Sequence, residues 1–260
     1  MDLLLKDKVI LVTGGAKGIG AAIVHACAAE GAVPVIVDRD EDAGKRLQGG
    51  VKNKGSACGL ITFDLGTPDS CSQSIEETLK NFGQIDALVN NAGRNDKVGL
   101  ESGSVHEYVA SLHRNLVHYY GMAHYALPHL KRSHGSIVNV GSKTAVTGQG
   151  GTSGYASAKG AIMALTREWA AELLPHGIRV NTVIPAEVMT PLYRSWLDTF
   201  PNPEGKLQTI LTKIPLEQRM TTSEEIAAMV VFLISARSSH TTGQHLFVDG
   251  GYVHLDRALT

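Results

Sequence analysis

The fold of this chain is decided by the stretch Lys8-Val9-Ile10-Leu11-Val12-Thr13-Gly14-Gly15-Ala16-Lys17-Gly18-Ile19-Gly20. Its β-branched first part predicts a short strand, and the alanine-rich segment from Ala21 to Glu30 predicts a helix. The glycines between them let the backbone approach a pyrophosphate, and the N-terminus of the helix offers free N–H groups and a positive dipole end. A glycine-rich turn alone is a weak signal, so its surroundings decide the assignment.

The surroundings favour dinucleotide binding. A second apolar run, Val33 to Val37, predicts a strand that ends in Asp38, which lies 18 residues after Gly20. A carboxylate at about this distance hydrogen-bonds the adenosine ribose in dinucleotide-binding folds. Pro34 cannot donate a ladder hydrogen bond, so we expect it at the start of the strand or in a bulge.

The alternation of strand and helix continues along the chain. Further strands are predicted at Ala57–Phe63, Ile85–Val89, Ile137–Gly141, Arg179–Ile184 and Gln244–Val248. The segments between them are helical, among them one long helix from Val105 to Lys131, interrupted only at Gly121 and Pro128. Such alternation predicts an α/β fold: a single Rossmann-type doubly wound parallel sheet of about seven strands with helices on both faces. We expect one domain over residues 1–260. The segment at about 188–217 shows no clear hydrophobic periodicity, and we expect it to form a substrate lid.

Composition excludes several classes of function. The formal net charge is −1, without the basic surface that nucleic acids or anionic membranes attract. The apolar run Ile226–Ile234 is too short to span a bilayer, and Met1–Lys6 is too short for a signal peptide. Cys27, Cys58 and Cys71 show no C-x-x-C spacing, which favours a reducing compartment and no disulfide or metal site. We therefore expect a cytoplasmic protein.

A candidate for proton transfer lies at Tyr155-Ala156-Ser157-Ala158-Lys159. Residues four apart share one face of a helix, and an adjacent ammonium lowers the pKa of a phenol. Tyr155 is thus a candidate general acid or base. Ser142, thirteen residues earlier, follows a buried strand, where open α/β sheets bind ligands. Taken alone, the Tyr-x-x-x-Lys spacing also fits an ordinary helix face.

Taken together, these features resemble the classical short-chain dehydrogenase/reductase family over nearly the whole chain. The matching motifs are Thr13-Gly14-x-x-x-Gly18-x-Gly20, Asp64, Asn90-Asn91-Ala92-Gly93, Asn115, Ser142, Tyr155-x-x-x-Lys159 and Val248-Asp249-Gly250-Gly251. The resemblance implies hydride transfer between a carbinol carbon and a nicotinamide, usually in a homotetramer. It implies that Tyr155 removes the hydroxyl proton, Lys159 holds down the tyrosine pKa and contacts the ribose, Ser142 orients the reacting oxygen, and Asn115 anchors a relay water.

The resemblance also implies which residues bind the cofactor. These are Gly14, Lys17, Gly18, Ile19, Gly20, Asp38, Arg39, Asp64, Leu65, Asn91, Ala92, Gly93, Tyr155, Lys159, Val188 and Thr190. Asp38 repels a 2′-phosphate and favours NAD, whereas Lys17 and Arg39 are cations near the same place and favour NADP. We expect NAD, with NADP possible. Asp64 has the alternative role of a turn former at the end of a strand.

Within the family, three stretches look closest to sugar dehydrogenases of the L-fucose dehydrogenase type: Asn95-Asp96 followed by Val98-Gly99-Leu100-Glu101, the loop from Ser142 to Gly150, and the segment from Pro185 to Tyr193 with Trp196. The expected substrate residues are Asn95, Ser142, Lys143, Gln149, Tyr155, Glu187 and Trp196, with Asp96 also facing the nicotinamide. Many members have glycine after the proline, where this chain has Ala186-Glu187. That carboxylate counts against an acyl substrate. The alternatives are solvated loop positions for Lys143 and Gln149, lid packing for Glu187 and Trp196, a plain loop acid for Asp96, and a helix-interior position for Asn115.

Three functions remain open from the sequence. The first is oxidation of an L-fucose-like aldose at C1 to a lactone, in which polar side chains pair with sugar hydroxyls. The second is a 3-oxoacyl-[acyl-carrier-protein] or other carbonyl reductase using NADPH, which Lys17 and Arg39 support. The third is a non-catalytic, cofactor-binding regulator, which could dispense with Tyr155 or Lys159; both are present.

Overall fold

The computed structural model describes residues 1–255 and contains a seven-stranded sheet in which every pair of neighbouring strands is parallel. The strands are β1 Val9–Thr13, β2 Val33–Asp38, β3 Gly59–Thr62, β4 Ala87–Asn90, β5 Ser136–Val140, β6 Arg179–Pro185 and β7 His245–Val248. Their order in the sheet is β3-β2-β1-β4-β5-β6-β7. The predicted doubly wound α/β fold is confirmed.

Nine α-helices alternate with these strands in the described part of the chain. They are α1 Gly18–Ala29, α2 Glu41–Asn53, α3 Pro68–Phe82, α4 Val105–Leu112, α5 His118–Ser133, α6 Ser153–Glu172, α7 Pro191–Leu197, α8 Pro203–Leu211 and α9 Ser223–Ile234. A π-helical turn, His113–Val117, joins α4 to α5. Short 3-10 turns follow β5, α6 and α9 at Lys143–Ala145, Leu174–His176 and Ala236–Ser238.

The sheet separates two hydrophobic cores. Ile10 and Val12 of β1 pack with the residues of α1 and α9, whereas Val9 and Leu11 pack with those of α3, α5 and α6. Successive side chains of a strand point to opposite faces, so the two sets lie on the two sides of the sheet. Strands buried on both faces require nearly continuous apolar runs, which is why the strands were readily predicted.

Local signals in the sequence act as expected at two places. Pro34 is the second residue of β2 and lies one position before the pairing with β3 begins at Val35, so its missing N–H leaves no gap in that ladder. Thr222 and Glu225 form a capping box at the start of α9, with Glu225 N to Thr222 Oγ1 at 3.1 Å and Thr222 N to Glu225 Oε2 at 2.8 Å.

The long helix differs from the prediction. It continues through Gly121 and Pro128 as far as Ser133, and its regular hydrogen bonding changes at the π-helical turn instead. The buried face of α5, which includes Met122 and Leu130, packs against the sheet. Such tertiary packing outweighs the low helix propensity of single residues.

The predicted lid also has more structure than the sequence indicated. It contains α7 and α8, each of which has a proline in its first turn and a side-chain cap. Thr190 Oγ1 accepts a hydrogen bond from Tyr193 N at 3.1 Å, and Asn202 Oδ1 accepts one from Gly205 N at 2.9 Å. Helices of two turns are too short to show a hydrophobic period. No helix among the described residues is long and apolar enough to cross a membrane.

Candidate active site

A cavity of about 1690 Å³ lies at the carboxyl ends of the strands, where ligands bind in open α/β sheets. It is lined by all the residues expected to bind the cofactor and by all those expected to bind the substrate, from Gly14 to Trp196. Asn115 and Asp96 are absent from its lining. The topology therefore brings together the residues that follow six different strands.

The glycine turn after β1 is pressed against the end of β4. Gly14 has φ +60°, and a Cβ there would lie 2.8 Å from Ala92 Cα. The Asn91 amide donates to Thr13 O and to Gly14 O, both at 3.0 Å. Only glycine fits this close approach in the left-handed region. The backbone thus forms a cradle beside the N-terminus of α1, as required for a pyrophosphate.

The Asp38 carboxylate is fixed at the end of β2. Its two oxygens accept hydrogen bonds from Ala16 N and Asp40 N, each at 3.0 Å. The nearby cations already have acidic partners, since Lys17 forms an ion pair with Asp40, and Arg39 contacts Asp64 at 3.3 Å. Both pairs are substantially exposed, so they add little to the stability of the fold. Their carboxylates partly neutralise the positive charges of Lys17 and Arg39 at this end of the cavity.

Two of the residues that line the cavity are Ser142, which follows β5, and Tyr155, which lies on α6. Ser142 Oγ accepts hydrogen bonds from Thr144 N at 3.3 Å and Thr144 Oγ1 at 3.0 Å, so its own proton remains for donation. Burial raises the pKa of Tyr155 to about 12, and the Ser142 hydroxyl opposes this shift.

Lys159 does not act on Tyr155 in the way the sequence predicted. Its Nζ donates to Val140 O at 2.7 Å and to Tyr119 Oη at 2.9 Å, and it lies 5.6 Å from the centroid of the Tyr155 ring. Burial lowers the pKa of Lys159 to about 7. The predicted lowering of the Tyr155 pKa by an adjacent ammonium is therefore wrong for this structure, because burial outweighs it and the lysine hydrogen bonds go elsewhere.

Asn115 lies behind the lysine, in the π-helical turn. Its Oδ1 accepts a hydrogen bond from Arg94 N at 2.8 Å, and its Nδ2 donates to Ser111 O at 3.2 Å. A Cβ on Gly93, which has φ +149°, would lie 3.0 Å from Asn115 Oδ1 and 3.9 Å from Lys159 Nζ. Asn115 thus lies close to Lys159, but the side-chain amide of Asn115 is hydrogen-bonded to backbone groups.

Asp96 was expected to face the nicotinamide, and this expectation is wrong. Its carboxylate accepts a hydrogen bond from Ser111 Oγ at 2.9 Å and pairs with Arg114. The side chain is almost fully buried behind the cavity wall. Its neighbour Asn95 does line the cavity, and Asn95 Oδ1 accepts a hydrogen bond from Thr152 Oγ1 at 2.5 Å.

A polar cluster closes the opposite side of the cavity. Lys143 and Glu187 form an ion pair whose side chains are each 11% exposed. Tyr193 Oη donates to the second oxygen of Glu187 at 2.5 Å, and Lys143 Nζ lies 4.0 Å from the centroid of the Tyr252 ring. Burial and the Glu187 charge raise the pKa of Tyr193. Trp196 meets the Tyr193 ring edge-on at 5.1 Å.

Sequence reasoning missed three tyrosines of this region. Tyr193 and Tyr252 line the cavity beside Glu187 and Lys143, and Tyr119 contacts Lys159. Tyr252 directly follows the predicted Val248-Asp249-Gly250-Gly251 turn, which was the one local signal available. Nothing in the sequence indicated a functional role for Tyr119, because a tyrosine on the apolar face of a long helix is most simply a core residue. Gln149 lines the cavity with an exposed side chain.

Comparisons with known proteins agree with this site. A family model described as enoyl-(acyl carrier protein) reductase matches residues 14–253. The L-fucose dehydrogenase of Mus musculus is 36% identical over 245 residues, which are 94% of this chain and 88% of the mouse protein. The chain belongs to the classical short-chain dehydrogenase/reductase family.

Two solved structures of dehydrogenases extend the likeness. The crystal structure of Cj0485 dehydrogenase has a TM-score of 0.94 and 47% identity, covering 100% of this chain and 99% of that one. The ligand-free aldohexose dehydrogenase of Thermoplasma acidophilum has a TM-score of 0.86 and 34% identity, covering 95% and 94%. The protein is thus a short-chain oxidoreductase, of a family that uses NAD or NADP, and the Gly14 cradle fits such a dinucleotide.

Proposed function

We propose that this protein is an NAD-dependent sugar dehydrogenase that oxidises an aldose at C1 to a lactone, with L-fucose-like sugars as the first candidates. The observation that carries the proposal is the Lys143–Glu187–Tyr193 cluster, which faces Ser142 and Tyr155 in the same cavity. The likeness to L-fucose and aldohexose dehydrogenases supports the same class of substrate.

The proposed roles follow from the geometry. NAD, when bound, supplies the hydride acceptor and a positive ring charge. Tyr155 accepts the proton of the C1 hydroxyl as a phenolate, a form that the positive nicotinamide ring would favour against the effect of burial, and Ser142 donates its free proton to the same oxygen. Lys159 provides positive charge behind the phenol, and Asn115 holds the backbone around it. The hydrogen of C1 leaves as a hydride with the electron pair of the C1–H bond, and the C1–O bond becomes the carbonyl of the lactone.

The far side of the cavity favours a polyhydroxylated substrate over an acyl chain. Glu187 and Lys143 pair with each other, and Glu187 also accepts a hydrogen bond from Tyr193, while the Lys143 ammonium has N–H groups beyond the one that it gives to Glu187. An acyl chain placed there would cover these charged groups without pairing with them, which is costly. Sugar hydroxyls provide both donors and acceptors, and Trp196 offers an apolar face for a ring or methyl group.

The test compares two substrate classes with both cofactors. We expect L-fucose or a closely related aldose with NAD to give the highest kcat/KM, measured by NADH absorbance. An acetoacetyl thioester with NADPH represents the reductase alternative. If no aldose in a broad panel is oxidised and the thioester is reduced, the sugar proposal is withdrawn.

The choice of NAD depends on Asp38. Its carboxylate is held by two backbone amides and lines the cavity, so it cannot turn away from a 2′-phosphate without losing both bonds. Lys17 is engaged by Asp40, and Arg39 by Asp64. The two cations that favoured NADP in the sequence therefore have acidic partners. The carboxylate of Asp38 then favours NAD over NADP.

Replacing Asp38 with alanine should relax this discrimination. We expect the ratio of kcat/KM for NAD to that for NADP to fall by at least about tenfold, the effect of about 1.4 kcal/mol of lost repulsion and ribose hydrogen bonding. Asp42→Asn is the matched control, because Asp42 is an acid in the first turn of α2 and lies outside the lining of the main cavity. A parent enzyme that strongly prefers NADP would defeat the assignment.

A further inference from the structure

A buried contact joins α6 to α5 behind the reacting groups. Lys159 Nζ donates to Tyr119 Oη at 2.9 Å and to Val140 O at 2.7 Å, and Tyr119 Oη donates to the same carbonyl at 3.0 Å. Tyr119 is 0% exposed and Lys159 is 2% exposed. The three groups form a closed triangle of hydrogen bonds that solvent does not reach.

The directions of these bonds are fixed by the number of protons. A phenol has one proton, and that of Tyr119 goes to Val140 O, so the phenol oxygen serves as an acceptor for the lysine. The Lys159 ammonium has three N–H groups. Two of them are used in the triangle, which leaves one for the side of Nζ that faces Tyr155 and the cavity.

We propose that Tyr119 is a positioning residue of the proton-transfer site, whose phenol oxygen holds the Lys159 ammonium so that its remaining N–H faces Tyr155 and the bound cofactor. Tyr119 acts through the lysine and does not touch the reacting atoms. Its ring packs in the core beside Met122 and Ile162, where phenylalanine would fill the same space. The hydroxyl is therefore needed for the lysine rather than for packing.

The contact also determines the charge of the lysine. A buried ammonium is stable only if hydrogen-bond acceptors replace its water. The titratable groups around it are Tyr119 and His118 on α5 and Tyr155 on α6; burial lowers the pKa of His118 to about 4, so this histidine is neutral near pH 7. Burial already lowers the pKa of Lys159 to about 7, and losing one of its two acceptors would lower it further.

The test substitutes Tyr119→Phe and follows the titration of Lys159 directly. The protein is labelled with [6-13C]lysine, and the resonance of Lys159 is assigned by its loss in Lys159→Met. We expect the titration midpoint in the parent near pH 7 and in Tyr119→Phe about one pH unit lower, as for the loss of one hydrogen bond to a charged group. We also expect kcat at pH 7 to fall about fivefold, because the protonated fraction of Lys159 falls from about a half to about a tenth, with a smaller change in KM for the alcohol substrate.

Tyr120→Phe is the matched control, because Tyr120 is adjacent in sequence but 56% exposed and stacks on His124. It should leave both the lysine titration and kcat unchanged. A Tyr119→Phe protein that folds but keeps the parent midpoint and kcat within twofold would overturn the proposal. If that variant fails to fold, [ζ-13C]tyrosine in the parent decides: the Tyr119 signal must shift with the lysine titration, and an unchanged signal rejects the proposal. Neither outcome depends on which sugar is the substrate.

Discussion

Tyr155→Phe is expected to reduce kcat by about 10²–10⁴-fold, the usual contribution of a general acid or base. The substitution removes the only oxygen that Tyr155 presents to the cavity and keeps the ring in place. Since dinucleotide binding relies mainly on the glycine turn and Asp38, the dissociation constant for NADH should change by less than about threefold. Stopped-flow measurement of hydride transfer, together with a fluorescence titration with NADH, separates the two quantities.

The control for this variant is Tyr125→Phe. Tyr125 lies on α5 with its ring edge-on to His124 and outside the cavity lining. It should retain the parent kcat. A Tyr155→Phe enzyme with the parent rate would show that another group transfers the proton, and the assignment of Ser142 and Lys159 around it would fail as well.

Breaking the Lys143–Glu187 pair is expected to have the second largest effect. Both side chains are 11% exposed, so Glu187→Gln leaves a nearly buried ammonium without its counter-ion, and Lys143→Met leaves a carboxylate with Tyr193 as its remaining partner. Removing one member of a buried pair costs about 3–5 kcal/mol. We expect each variant to lose roughly this much free energy of unfolding in urea, and about 100-fold in kcat/KM for the sugar.

The double variant separates a structural role from a role in binding. Lys143→Met combined with Glu187→Gln leaves no unpaired charge, and a glutamine oxygen still accepts from Tyr193. Its free energy of unfolding should return to within about 1 kcal/mol of the parent, as neutral replacements of buried ion pairs often do, whereas the sugar kcat/KM should stay low. Full recovery of activity in the double variant would mean that the pair only supports the fold.

The fold was predictable because its signals are local. The buried strands are short apolar runs, and most of them end in or are followed by a glycine, an asparagine or an acid, such as Asp38 at the end of β2. The parallel topology then brings these strand ends to one edge without further information. The same logic predicted cofactor and substrate residues that all line the cavity, but it missed other lining residues, among them Tyr193 and Tyr252. The helices α7 and α8 were missed, because elements of two turns have caps but no period.

The contacts inside the site were less predictable. The spacing of Tyr155 and Lys159 placed both on one helix face, but it did not show that the lysine donates to Tyr119 on another helix. Nor did it show that Asp96 turns toward Arg114. The first contact depends on how α5 is placed against α6, and the second on how the segment after β4 is placed against the π-helical turn, and both are tertiary properties. Burial, which determines the pKa of Tyr155 and Lys159, is likewise fixed only by the complete fold.

The most direct test of the proposed activity uses L-fucose deuterated at C1, incubated with NAD and the enzyme. If the protein oxidises an aldose at this carbon, mass spectrometry will find one deuterium in the NADH and none in the product, which will be the lactone or the acid formed from it by hydrolysis. The rate should also fall on deuteration if hydride transfer limits turnover. If reduced cofactor forms without deuterium, or none forms with this or any related aldose, oxidation at C1 is contradicted.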